Sequence, residues 1–251
     1  MDTKIVGGRK RITLLNVPVD IVPENSLEDV ISNLLLDKGR HQIIFLTLRG
    51  LLKARGNNEF ANTVRKASLV IPVSKRLLKG AKFLKKSKPV RYMPFNFAIK
   101  LLGILEKQNH SLYLAGSRPA ELQITTNNLR DSFPGLGIVG RYAGYFKKEA
   151  EEDMVLAIKK ASPSLVFIGK GIPGRSNWLS KNMKNVNPGL FLWCGECFDI
   201  FSGKKKKISN KSWEKGNFAF WDGLRKPWKA IFIFPHIYYL LLLLIYRIRK
   251  I

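Results

Sequence analysis

The chain has 251 residues, of which 45% are hydrophobic, enough for one large globular domain or a domain with an appendage. It carries 44 Lys and Arg against 18 Asp and Glu, a formal charge of +26. A balance so basic calls for an anionic partner: phosphorylated substrates, a membrane surface or nucleic acid.

A Lys-rich solvated surface would also raise the charge, but the excess is clustered along the chain. The two cysteines, Cys194 and Cys197, sit together in CGEC, and His41, His110 and His236 lie far from them in sequence. No metal site is therefore expected, and the cysteines read as reduced structural thiols. The N-terminus has no apolar run, so no signal peptide is expected.

In chain order, Lys10–Asp20 reads as a strand with a turn at Pro18. Pro23–Lys38 reads as a helix, with Ser26 before Leu27, Val30 and Ile31, and Glu28 and Asp29 in its first turn. Residues 42–47 (QIIFLT) form a buried strand, 51–66 a helix and 68–72 (SLVIP) another strand. The segment VSKRLLKGAKFLKKSK (73–88) places Lys75, Lys79, Lys82 and Lys86 near one helical face. Leu77, Leu78, Ala81 and Leu84 fall on another, with Ser74 as the candidate N-cap. That basic face suits a diphosphate or lipid head groups; a plain solvated face is equally consistent. An apolar helix over 97–107 follows.

The chain is organised around Tyr113–Trp178. Apolar runs at 112–115, 136–139 and 165–168 each end at a glycine-bearing turn, and segments with helical spacing (119–132 and 147–161) lie between them. This alternation predicts an α/β fold with a Rossmann-like, mostly parallel sheet flanked by helices. Ligands in such sheets bind beyond the carboxyl ends of the strands. The predicted site is therefore built around Gly116, Gly140, Gly144, Gly169 and Gly171, where backbone could approach a phosphate or sugar closely.

Residues 191–201 (FLWCGECFDIF) give a last core strand and turn, closing a domain over 1–203. The composition then changes. Residues 204–251 open on four lysines, interleave Trp213, Phe218, Phe220, Trp221 and Trp228, run through AIFIFPHIYYLLLLLIY (230–246) and end RIRKI. This appendage reads as membrane-associating: the run falls short of the roughly 20 residues that usually span a bilayer, and aromatic and basic flanks suit the interface. Burial in the core or a nucleic-acid patch are the other readings, and the polyleucine run argues against the second. Lys75, Lys79, Lys82, Arg225, Lys229 and Arg247 are the candidate contacts to membrane or lipid diphosphate.

The ordered motifs A-G-S-R-P, F-P-G-L-x-I-V-G-x-x-x-G-Y-F, V-F-I-G-x-G-x-P, a following Trp, and F-D-x-x-x-G resemble those of the WecG/TagA/CpsF glycosyltransferases. The resemblance covers roughly residues 10–203 and is densest at 112–178. It implies transfer of an N-acetylhexosamine-type sugar from a UDP-sugar to a polyprenyl-diphosphate-linked glycan. It implies work at the cytoplasmic face of the bacterial inner membrane on an anionic surface, with no cofactor beyond the donor. A homo-oligomer or an active paralogue is the implied protein partner. Donor or acceptor binding is implied for Thr47, Arg49, Gly116, Gly140, Gly144, Tyr145, Gly169, Gly171, Pro173 and Arg175.

The sequence also departs from the family pattern. Thr47-Leu48-Arg49 carries Arg49 where the family has Asn, and Pro173-Gly174-Arg175-Ser176 lacks the family's Gln and Glu. Pro72-Val73-Ser74 places Val73 where the family has its proposed catalytic Asp. A valine cannot accept a proton, and general-base assistance contributes about 10²–10⁴-fold. Two readings follow. In one, the enzyme is active and Glu196 or Asp199 replaces the base, with Arg49 and Arg175 on phosphates; against this, Asp199 could merely cap a turn and Glu196 be solvated. In the other, the chain is a catalytically degenerate paralogue that binds or scaffolds at the membrane. Nucleic-acid binding rests on charge alone and is not expected.

Overall fold

The computed structural model describes residues 3–6, 9–216 and 234–249. The expectations for Arg225, Lys229 and the aromatics between 218 and 228 lie outside these residues.

The centre is a six-stranded sheet in which all pairings are parallel. Its strands are β4 (Arg40–Leu46), β5 (Leu69–Pro72), β6 (Ser111–Ala115), β7 (Gly137–Tyr142), β8 (Leu165–Ile168) and β9 (Gly189–Trp193), in the order β5-β4-β9-β8-β6-β7. Every residue of β5 and β8 is buried, as expected of strands covered on both faces. One face carries α1 (Leu27–Leu36), α5 (Pro94–Lys107), α6 (Pro119–Ser132) and the short α9 (Gly195–Phe201). The other carries α7 (Glu151–Ala161) and α8 (Trp178–Asn182) over β6, β8 and β9. Over β4 and β5 it carries α2 (Leu48–Ala54), α3 (Glu59–Lys66) and α4 (Lys75–Phe83).

An antiparallel meander, β1 (Thr3–Val6), β2 (Arg9–Leu14) and β3 (Val17–Ile21), abuts β5. Asp20 joins the two sheets. It is fully buried, accepts from Arg11 Nε and Nη2 at 2.7 Å and from Arg9 Nε at 3.4 Å, and takes the Val70 N–H of edge strand β5 at 2.6 Å. A sheet edge otherwise open to pairing is thereby closed by a side chain. Burial pulls the Arg9 guanidinium below its ordinary pKa, and Asp20 opposes that pull.

Three local expectations change. The hairpin turns at Leu15-Asn16, both with positive φ, while Pro18 lies inside β3 opposite Thr13. The helix expected over 51–66 is two, because Asn58 breaks out to cap α3, its side chain accepting from Ala61 N. After β9 the chain forms α9 where a turn was expected.

Beyond residue 203 the described chain packs onto the domain. A short helix, α10 (Asn210–Lys215), is held by Arg91 stacked 4.2 Å over the Trp213 ring and by Lys75, which donates to the Glu214 carbonyl at 2.9 Å. The last helix, α11 (Phe234–Ile248), buries Tyr239, Leu242 and Leu243 in the core shared with α2 and α4. Gly80 of α4 makes room for it: a Cβ there would lie 1.9 Å from the Tyr239 hydroxyl oxygen, which donates to the Arg76 carbonyl. Ile237, Leu240, Leu241, Leu244 and Ile248 form an exposed stripe on the opposite side. Among the described residues, no helix is long and apolar enough to cross a membrane.

Candidate active site

Because all six strands are parallel, the turns after 46, 72, 115, 142, 168 and 193 emerge at one edge. That edge collects the predicted substrate residues from Thr47 to Arg175 except Gly140, together with both candidate bases. Gly140, expected in a turn after 136–139, lies inside β7 opposite Tyr113, because the strand runs on to Tyr142.

Three of the turns are tied into one unit. Gly116 N–H donates to Tyr142 O, Ser117 N–H to Lys170 O, Gly144 N–H to Ser117 O, Tyr145 N–H to Gly171 O and Gly169 N–H to Ala115 O, all at 2.7–2.9 Å. The glycines allow this interlocking. A Cβ on Gly116, at φ +121°, would sit 2.8 Å from the Gly169 backbone, and one on Gly171, at φ +79°, 2.6 Å from Tyr145 N. Gly144 and Gly169 are likewise pressed against Lys170 O and the Phe198 ring, and Gly140 against Tyr113 in the β6–β7 pair. The close approach they permit is therefore between parts of the chain itself. Ser117, Tyr145 and Arg175 also carry positive φ without being glycine, a concentration of strained backbone that accompanies functional sites.

The interlocked turns present few groups outward. Tyr145 exposes 60% of its surface, with the Arg118 guanidinium 5.8 Å from its ring centre. Pro173 and Arg175 are exposed, and Gln42 donates to the Ser176 carbonyl, holding their loop to β4. Thr47 caps α2 by accepting from Gly50 N at 3.0 Å, and Arg49 stands exposed in the first turn of that helix. Val73 is half-buried, and its N–H donates to Leu46 O. Buried polar atoms without a hydrogen-bond partner gather at this edge, Ser117 Oγ, Asn177 Oδ1, Trp193 Nε1 and Asp199 Oδ1 among them. Buried polar atoms are normally paired, so such a cluster marks where ligand or water completes the structure.

The two candidate bases differ. Asp199 is 6% exposed on α9, with Lys170 Nζ donating to its Oδ2. Glu196 is exposed on the first turn of the same helix, paired with Lys205 at 3.1 Å. The ion pair with Asp199 raises the Lys170 ammonium above its ordinary pKa. Sequence reasoning missed Lys170: its partner is remote in the chain, and a lysine between two glycines reads as solvated.

CGEC does open a helix directly after a strand, the setting of a dithiol redox site, but both thiols are free and buried. Burial first, then the Cys194 contact, pushes the Cys197 thiol well above its ordinary pKa, away from the reactive thiolate. Of the expected membrane contacts, Lys79 and Lys82 are exposed on α4, and Arg247 of α11 lies 5.9 Å over the Phe83 ring beside them. Lys75 is turned instead to α10.

The Glycosyl transferase WecG/TagA/CpsF family model matches residues 12–251, which extends through α11. The chain belongs to this family. Three relatives carry the name N-acetylglucosaminyldiphosphoundecaprenol N-acetyl-β-D-mannosaminyltransferase. That of Bacillus spizizenii W23 is 22% identical over 155 residues, covering 62% of this chain and 60% of the relative. That of Bacillus subtilis 168 is 24% identical over 134 residues, covering 52% and 50%. That of Staphylococcus aureus NCTC 8325 is 20% identical over 154 residues, covering 61% and 60%. The chain thus spans 50–60% of the length of these curated relatives.

Proposed function

We propose that this protein transfers an N-acetylhexosamine-type sugar from a UDP-sugar to a polyprenyl-diphosphate-linked acceptor, at a membrane surface. The observation that carries the reading is the interlocked edge of β6, β7 and β8. Backbone hydrogen bonds tie its turns together, it holds unsatisfied buried polar atoms, and it sets the exposed Tyr145 ring beside the Arg118 guanidinium. An aromatic face suits a uracil base, and the cation suits the donor's diphosphate. The relatives named above are named for an acceptor that is itself a diphosphate-linked lipid.

For the chemistry, the base must accept a proton from an acceptor hydroxyl. Val73 has no such capacity, and Asp199 is buried and held by a lysine. Glu196 is solvent-accessible at the same edge and takes the role in this reading.

The acceptor is brought in at the lipid surface. The exposed stripe of α11, with Arg247, Lys79 and Lys82 beside it, rests on an anionic leaflet without crossing it.

A second reading, a binding protein without turnover, is favoured by Val73 and by the exchange of the family's Asn at Arg49 and of its Gln and Glu at Arg175 and Ser176. Release of UDP from UDP-N-acetylmannosamine, with and without an undecaprenyl-diphosphate-linked N-acetylglucosamine, separates the two. The transferase releases UDP only with acceptor present, and Glu196→Gln lowers kcat by about 10²–10⁴ with UDP affinity kept. Saturable UDP binding without release moves the protein to the second reading, and absence of UDP binding contradicts both.

A further inference from the structure

We propose that Lys170, held in place by Asp199, is the cation that binds the donor's diphosphate, and that Asp199 is a positioning residue for it. This rests on the reading of the edge as a UDP-sugar site, which it deepens by assigning a residue to the diphosphate.

The geometry is specific to this lysine. Its backbone lies in the Gly169–Gly171 turn at the carboxyl end of β8, near the middle of the sheet, and its carbonyl accepts from Ser117 N at 2.7 Å. The stem crosses the start of α9, where a Cβ on Gly195 would come within 2.7 Å of Lys170 Cγ. The ammonium then reaches Asp199 Oδ2. Exposure divides the pair: the lysine side chain is 43% exposed, the aspartate side chain 8%. The cation therefore faces solvent while its anchor stays below the surface.

Other lysines of this region form different pairs. Lys204 and Lys205 bond to Glu121 and Glu196, whose side chains are 19% and 63% exposed. Those are surface pairs of low worth. A free lysine side chain carries rotamer entropy that an anion must overcome to order it. Asp199 has already ordered Lys170. An ammonium has three N–H donors, and one is committed to Asp199, so two remain for an incoming oxyanion. Tyr145, whose N–H donates to Gly171 O, adjoins the same turn, so a stacked base and its diphosphate would fall on neighbouring groups. The hydrogen bond to Asp199 raises the Lys170 ammonium above its ordinary pKa, so the pairing favours the charged form that an oxyanion needs.

The test is calorimetric titration of the full chain with pyrophosphate, UDP and uridine. Lys170→Met should weaken pyrophosphate and UDP at least ten-fold and leave uridine unchanged, and Lys170→Arg should restore most of the loss. Asp199→Asn should weaken pyrophosphate less, and should add nothing on top of Lys170→Met, because it acts only through the lysine. Losses that add in the double variant would overturn the positioning role, and pyrophosphate and UDP binding unchanged in Lys170→Met would overturn the proposal. Pyrophosphate binding that depends on Lys170, with UDP binding no tighter, would instead sink the uridine-nucleotide reading and keep the anion site. A wild-type chain that binds neither contradicts both.

Discussion

Asp20 and Asp199 are both buried carboxylates, 0% and 6% exposed, and they are satisfied to different degrees. At Asp20 both oxygens are occupied, by Arg9, Arg11 and the Val70 N–H, with partners drawn from two sheets. At Asp199 one oxygen holds Lys170 and the other has no partner among the described residues. The first carboxylate locks the meander to the edge of the parallel sheet and faces nothing else. The second sits under an exposed cation at the edge where all the strand ends emerge. The contrast teaches that burial alone does not single out a candidate functional carboxylate; an incomplete set of partners and an exposed counterion make Asp199 the candidate.

The largest predicted effect lies at the first of these. Asp20→Ala leaves Arg9 buried without a counterion and should cost about 3–5 kcal/mol in urea unfolding. Asp199→Asn, whose partner is nearly half-exposed, should cost about 1 kcal/mol or less. Equal losses from the two variants would break the comparison.

A smaller effect is expected where α11 meets the domain. Gly80→Ala overpacks Tyr239 and should cost about 1–3 kcal/mol, with faster proteolysis inside 234–248. Gly103→Ala, in α5 with open space around it, serves as control and should leave stability unchanged or slightly raised. If Gly80→Ala leaves α11 as protected as before, the contact that seats the helix is misassigned.

The smallest effect belongs to a surface pair. The hydrogen bond from Lys204 holds the Glu121 carboxyl below its ordinary range. Stability from a depressed carboxylate is present above its unfolded pKa and is lost as pH falls through the folded one. The difference between wild type and Lys204→Gln, about 0.5 kcal/mol, should therefore appear at neutral pH and vanish in acid. A difference that persists in acid would mean that Lys204 acts by packing rather than by charge.

Much of the fold was legible because its central strands are largely buried. Residues 165–168 and 112–115 read as unbroken apolar runs, and the glycines that follow mark their ends. The hairpin at Leu15-Asn16 was not legible, since a leucine in the left-handed region gives no local signal. The break between α2 and α3 did have one, Asn58 one residue before Glu59, and helical spacing on both sides masked it. At the site, the edge and its glycines could be read from alternation. Their purpose could not: spacing cannot distinguish a glycine that admits a phosphate from one that admits another loop. Lys170 was hidden for a related reason, because its meaning depends on Asp199, brought to it only by the packing of α9 beside β8.

The central claim is that a uridine diphosphate donor binds on the interlocked turns after β6, β7 and β8. Hydrogen–deuterium exchange of the full chain with and without saturating UDP tests it most directly. The account predicts new protection in residues 116–118, 143–146 and 169–175, with none on the α1–α5 face. Protection absent from those three turns, or confined to another face, would contradict it.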